Sequence, residues 1–149
     1  MMMKTHLAIA CAVALGLLPF VTYKFIFFPV VLFSTLLPDI DIAHSYLGKR
    51  WYFRPIQLFV KHRGLIHSFT ICILISFVLA FYFPIFALPF FVGYMLHLFG
   101  DSLTIEGIRP FWPHKKEVAG KIRTQGHIES GIFLIAIVAS IIFLVGLFI

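Results

Sequence analysis

Charge is what this sequence has least of. Only 12% of its 149 residues are Asp, Glu, Lys or Arg, against about 25% in ordinary soluble domains. Mean hydropathy is +1.03, so an ordinary soluble domain is excluded. Sustained alternation of polar and apolar residues is missing too, which argues against a β-barrel. Cysteine is scarce, and Cys11 and Cys72 both lie inside apolar runs, where they read as small packing residues outside any disulfide framework. Neither an internal repeat nor a low-complexity tract is visible. Lys4 followed by an apolar stretch invites a secretory-signal reading, but no small-residue cleavage site precedes a polar start. The chain runs straight back into apolar residues. What these absences leave is an all-α, polytopic membrane bundle, with residues 1–149 as a single integral-membrane domain.

Continuous apolar runs are what the sequence does have. Residues 7–37 form one, broken mainly by Lys24, Pro19 and Pro29. As one helix it would be roughly 46 Å long, well beyond a hydrocarbon core of about 30 Å. A hairpin breaking near Thr22-Tyr23-Lys24 is the better reading, with helices near 6–22 and 25–37. Both arms are short for a span, so one is open to being tilted or re-entrant. Residues 65–99 are also long for one span, and Pro84 with Pro89 predicts helices near 65–82 and 85–101. Residues 131–149 supply a last, uncharged span. Five helices result, and loops 38–64 and 100–129 fall on the side of the N-terminus.

The charges test this arrangement. It puts eleven of the twelve Lys/Arg residues on one side and Lys24 alone on the other. The positive-inside rule then makes the loop side cytoplasmic. A formal charge of +6 reads as topology-setting cations, and no nucleic acid is expected. A four-helix alternative, with 7–37 as one tilted span, would put His6 across the membrane from Asp39. The segment Trp51 to Lys61, aromatic and flanked by Lys49 and Arg50, reads as an interfacial helix on anionic headgroups. Membrane lipids are therefore the expected surroundings; the oligomeric state is undetermined.

The few ionisable groups are clustered. Ionisable side chains beside apolar runs are costly and are usually functional or paired. Asp39 and Asp41 follow Pro38 where the second helix ends; on an extended segment they would point opposite ways. One would then bind a metal while the other orients a histidine or bridges a second ion, and a plain polar turn is the rival reading. His62 and His67 straddle Gly64, with His67 opening the third helix. Arg63 between them is either an anion clamp, its planar fork matching phosphate oxygens, or a snorkelling interfacial cation. His97 and Asp101 are four apart and share a helix face. His6 begins the first helix on the same side. Three aspartates near a bilayer surface need neutralising cations; Arg63 and Arg109 would serve but leave the histidines unexplained. A divalent metal, zinc favoured for a mixed His/Asp set, accounts for both.

In order along the chain stand Leu36-Leu37-Pro38-Asp39-Ile40-Asp41, Ser45-Tyr46-Leu47-Gly48 and His62-Arg63-Gly64-Leu65-Ile66-His67-Ser68. Gly93 to Thr104, Gly107 and Trp112-Pro113 follow. Over roughly residues 5–130 this set resembles the YdjM-like inner-membrane proteins, a family named as membrane-bound metal-dependent hydrolases. That family is grouped with zinc-dependent phospholipase C and P1-type nuclease. The resemblance implies a metal set of His6, Asp39, Asp41, His67, His97 and Asp101, with His62 a further candidate and Glu129 a late family acid. Ile66 stands where the family motif carries threonine, which reads as a packing change.

Three functions follow as expectations. In the first, Asp41 or Asp39 orients or deprotonates a metal-activated water. Arg63 holds the developing charge, with His62 nearby, and the substrate is a lipid or lipid-linked phosphoester. In the second, the same ligands bind or transport a metal without hydrolysis. Transport sites lie near the midplane, whereas these motifs sit at span ends. A structural bundle with a fortuitous polar face is the third.

Overall fold

The computed structural model describes residues 1–41 and 65–149, and among them five α-helices carry the fold. These are α1 (Met3–Leu17), α2 (Lys24–Leu36), α3 (Phe69–Tyr82), α4 (Pro84–Ser102) and α5 (His127–Gly146). Each break has a local cause. A 3-10 turn, Leu18–Phe20, carries Pro19 and tightens the end of α1. Pro84 opens α4, where a missing N–H costs nothing. Ser68 caps α3, its Oγ accepting from the Ile71 N–H at 3.3 Å. The break near Tyr23 and the turn at Phe83-Pro84 fall where the sequence puts them. The last helix begins at His127 rather than Gly131, and α4 runs on to Ser102, so the loop between them is 103–126.

The helices pack side by side in the order α5, α1, α2, α4, α3, with α1 also touching α4. Small residues let the inner helices approach. Ala8, Ala10, Ala12 and Ala14 of α1 are buried. Gly93 lets α4 lie directly on α2, because a Cβ there would stand 2.1 Å from Ser34 Oγ and 2.2 Å from the Val31 carbonyl. Polar side chains bind the same seam. Ser34 Oγ donates to carbonyls of its own helix and lies 3.3 Å from the Pro89 carbonyl. Thr35 Oγ donates to the Val31 and Gly93 carbonyls at 2.8 and 3.0 Å. Without a hydrophobic drive between helices in lipid, such close contacts and hydrogen bonds hold a bundle together.

The flanking helices look outward. On α3, Ile73, Leu74, Phe77, Val78 and Phe81 are exposed, as are Leu134, Ile135, Ile141 and Ile142 on α5. Apolar residues bared to this extent suit lipid rather than water. Among the described residues, three helical stretches are long and apolar enough to cross a membrane: Met3–Phe20, Pro84–Ser102 and His127–Gly146. Both α2 and α3 are shorter.

The chain alternates direction, so one end of the bundle gathers the start of α1, the end of α2, the start of α3, the end of α4 and the start of α5. Contacts fix this arrangement: His6 meets Asp101, His97 meets the Thr35 carbonyl, and Glu129 meets Met2. The four-helix alternative, with His6 across the bundle from Asp39, is thereby overturned, because α1 and α2 are separate antiparallel helices.

Candidate metal centre

Four side chains converge at this end, held by three elements. His97 lies on the last turns of α4 and Asp101 one turn further on. Asp39 sits in a 3-10 turn, Pro38–Asp41, directly after α2. His67 precedes the Ser68 cap of α3. The sequence reading of Asp39 and Asp41 as an extended segment is corrected here. Pro38 allows helical backbone to continue, and the Ile40 N–H bonds the Leu37 carbonyl at 3.1 Å.

The spacing between the four is the informative part. His67 Nε2 stands 3.7 Å from Asp39 Oδ1 and 3.8 Å from Asp101 Oδ2. His97 Nε2 stands 3.5 Å from Asp39 Oδ1 and 3.6 Å from Asp101 Oδ2. These distances are too long for good hydrogen bonds. Donor atoms around one tetrahedral zinc ion, with bonds near 2.1 Å, are separated by roughly 3.3–3.6 Å. All four contacts are near that range. His67, His97 and Asp101 are almost wholly buried, and Asp39 is the partly exposed member.

Second contacts aim the rings. His97 Nδ1 lies 2.8 Å from the Thr35 carbonyl. A carbonyl only accepts, so Nδ1 carries the proton and Nε2 presents its lone pair to the gap when the ring is neutral. Among the described residues, that buried Nε2 has no hydrogen-bond partner. The approach to His67 is fixed on both sides. Tyr94 donates its hydroxyl to the Ile66 carbonyl at 2.6 Å, and Ser68 Oγ donates to the Leu65 carbonyl at 2.7 Å. Phe69 N–H then bonds the Pro110 carbonyl at 2.8 Å.

His6 takes a different place. Its Nε2 lies 3.1 Å from Asp101 Oδ1, the oxygen that also meets the Met1 amino group at 2.6 Å. Its ring stacks on His97 with centroids 4.0 Å apart and planes 11° apart. Gly100 makes room for it, since a Cβ there would come within 2.9 Å of the ring. His6, His97 and Asp101 form one group able to hold an ion, and Asp39, His67 and His97 form another. Both groups need the same His97 Nε2, because Thr35 occupies Nδ1. They therefore describe alternatives for one ion rather than two filled sites.

Electrostatics favours cation binding. Burial acts to raise the Asp39 carboxyl, but the adjoining His67, His97 and His6 rings act the other way and prevail. Asp39 is held below its ordinary value and stays ionised at neutral pH, as a ligand must.

Glu129, the late acid, lies elsewhere. It is buried, and its carboxylate accepts from the Met2 N–H and the Gln125 N–H, both at 2.6 Å. It clamps the first turn of α5 to the start of α1, close to a capping box in form. His62, Arg63 and the segment 51–61 lie outside the described residues, as does the side chain of Asp41. Sequence reasoning did not single out Thr35, Tyr94 or Gly100. Two of them carry weak signals: Thr35 is a polar residue at the end of an apolar helix, and Gly100 separates His97 from Asp101.

Fold and site together define an all-helical, integral-membrane type of protein with a buried histidine–aspartate cluster at one end of its bundle. Residues 1–148 match the family described as YdjM inner membrane protein, and the chain belongs to that family. It is 37% identical over 94 residues to "Inner membrane protein YdjM" of Escherichia coli (strain K12), covering 57% of this chain and 48% of that protein. The same values hold for the Shigella flexneri protein of that name. The chain thus spans about half the length of the curated relatives it matches. No solved structure matches.

Proposed function

We propose that this inner membrane protein is a metal-dependent hydrolase acting on a lipid or lipid-linked phosphoester at the cytoplasmic face. One observation carries the reading: two imidazoles and two carboxylates from three elements converge, with His–Asp separations of 3.5–3.8 Å near those between the ligands of one zinc ion. The fit rests on the donor set and on the buried His97 Nε2 aimed into the gap between them. When bound, a divalent ion of the zinc type would lower the pKa of a coordinated water and polarise a phosphoryl oxygen.

The protein's own groups do the rest. Asp39, His67, His97 and Asp101 would hold the ion. The Thr35 carbonyl fixes the tautomer of His97, and His6 holds Asp101 by its outer oxygen. Asp39, the most accessible of the four, or Asp41 would take the proton of the attacking water, and Arg63 and His62 would meet the phosphate; the roles of Asp41, His62 and Arg63 rest on the sequence pattern. Lys4, Arg109, Lys115, Lys116, Lys121 and Arg123 lie at the site end and Lys24 at the other, which supports a cytoplasmic site by the positive-inside rule.

The burial of the ligands favours a second reading, a metal-binding protein without turnover, since Asp39 alone opens towards solvent. Transport is less favoured, because the cluster sits at the bundle end and not near its middle. Metal analysis of detergent-purified protein, followed by a screen in mixed micelles against phospholipids, isoprenoid phosphates and generic phosphodiesters, separates these. The hydrolase reading expects Arg63→Ala to keep its metal and lose turnover. If metal-replete protein hydrolyses nothing that Asp41→Asn does not, metal binding alone stands.

A further inference from the structure

The loop between α4 and α5 is more ordered than a connection needs to be. Ile108 and Val118 exchange both backbone hydrogen bonds at 2.9 Å, and Thr104 bridges to Ile122. Arg109 grips Glu117 through Nε and Nη2, at 2.9 and 2.6 Å. The Phe69 N–H fastens the base to α3 through the Pro110 carbonyl. The result is a braced hairpin whose tip turns at Phe111, where the His114 N–H meets the Phe111 carbonyl at 2.8 Å.

What this hairpin displays is odd for a surface in water. Phe111 is 61% exposed and Trp112 43%. His114, Lys115 and Lys116 follow, all exposed. The nearby acid, Glu117, is already taken by Arg109, and among the described residues neither lysine has an ion pair. A braced loop thus presents two aromatic rings and two uncompensated cations.

Position says what they meet. Phe111 lines a groove of about 390 Å³ with Thr70, Ile73, Leu74 and Phe77, and its ring lies edge-on to Phe69 at 6.2 Å. Those α3 residues belong to its outward apolar face. The hairpin tip therefore stands over the lipid-facing side of α3. With fourteen residues, α3 reaches about 21 Å, short of a hydrocarbon core of about 30 Å. Phe111 and Trp112 lengthen its apolar surface upwards. Aromatic rings belong at the level where acyl chain gives way to headgroup, and lysines just above it attract acidic lipids.

We infer that the 108–118 hairpin is an interfacial anchor: Phe111 and Trp112 insert at the acyl–headgroup boundary beside α3, and Lys115 and Lys116 bind the headgroups of anionic phospholipid. The inference stands apart from the metal and from any reaction, and rests only on the hairpin and the groove below it.

Tryptophan fluorescence tests it. The chain has two tryptophans, so Trp51→Phe leaves Trp112 as the sole reporter. The variant is reconstituted in phosphatidylcholine vesicles and in vesicles containing phosphatidylglycerol, each with bromine at a shallow or a deep acyl position. Shallow bromine should quench Trp112 more than deep bromine, and acrylamide should quench it weakly. Brominated phosphatidylglycerol should compete better than brominated phosphatidylcholine, by about fivefold for each lysine. Lys115→Gln with Lys116→Gln should bring the two lipids to parity while keeping the shallow quenching. A Trp112 that acrylamide reaches freely and bromine does not quench overturns the anchor. An anionic preference unchanged in the double variant overturns the headgroup assignment.

Discussion

The two ends of this bundle are made differently. At one end the helices join through tight turns, Val21 to Tyr23 and Phe83 to Pro84, and among the described residues Lys24 is the lone Lys/Arg side chain there. At the other end stand the buried His6, His67, His97, Asp101 and Glu129, with Asp39 half-buried. A tight turn satisfies its own backbone and asks nothing of neighbouring helices. The site end buries charge and must satisfy it across helices, which costs several kcal/mol per ion if it fails. That expense is the physical reason to place a function there.

Substitutions at the two ends should therefore part sharply. His97→Ala and Asp101→Asn should each lower bound metal to near background, while Lys24→Ala keeps the wild-type content, as elemental analysis of purified protein would report. Equal content in all three would sink the site. The pH at which metal leaves sharpens the same contrast. Asp39 is held below its ordinary value, so its charge persists as pH falls through the ordinary imidazole range near about 6.5 and is lost only below about 3.9. Loss of metal while Asp39 is still ionised would therefore show that the histidines are needed to hold the ion; retention down to about pH 4 would mean that carboxylates alone hold it.

Glycine offers a finer comparison. At the site end a Cβ on Gly100 would press on the His6 ring at 2.9–3.0 Å. That ring is stacked on His97 and bonded to Asp101, so it cannot retreat without moving both. Gly100→Ala should weaken metal affinity by about tenfold to a hundredfold, the usual cost of disturbing groups that orient ligands. Competition with a fluorescent zinc chelator would measure it, and an unchanged affinity would show that His6 plays no part in aiming the cluster.

How much of this was legible beforehand differs by kind of feature. The five helices followed from apolar run lengths and from Pro84, because a bilayer dictates length and proline dictates breaks. The gathering of Asp39, His67, His97 and Asp101 at one end followed from simple alternation of direction. The Thr35 carbonyl as partner of His97 did not, since every residue has a carbonyl and no side chain marks the one used. Nor did the contact of His6 with the outer oxygen of Asp101, which depends on how closely α1 approaches α4. Pro38 to Asp41 reads as extended in sequence yet forms a 3-10 turn, because a proline that ends one helix is also suited to begin another turn. The ordered hairpin after α4 was missed for a related reason: its pairing is two isolated bridges, too short to leave a strand pattern.

Glu129 separates clamp from ligand. It sits at the site end, buried like the ligands, yet its oxygens face the Met2 and Gln125 N–H groups. Glu129→Gln leaves one acceptor for two donors and removes the charge. A loss of about 1–2 kcal/mol is expected, since hydrogen bonds to charged groups contribute about 1.5–3 kcal/mol each and part survives. The unfolding midpoint in detergent should fall while metal content per folded protein holds. A selective loss of metal would move Glu129 into the ligand set.

Gly146 closes α5 at the opposite end from the cluster, and nothing lies within 4 Å of where its Cβ would stand. Its backbone is not in the left-handed region, which only Gly107 and Gln125 enter among the described residues. Alanine there removes conformational freedom from the unfolded chain without meeting an obstacle, which stabilises by about 0.4–1 kcal/mol. Gly146→Ala should therefore raise the unfolding midpoint slightly and leave metal affinity unchanged. The size of the effect matters less than its sign. The same change of one hydrogen to one methyl that disturbs the cluster at Gly100 should be harmless or helpful here. A destabilised Gly146→Ala protein would mean that this end, too, is closely packed against something, and that the contrast between the two ends is one of chemistry alone.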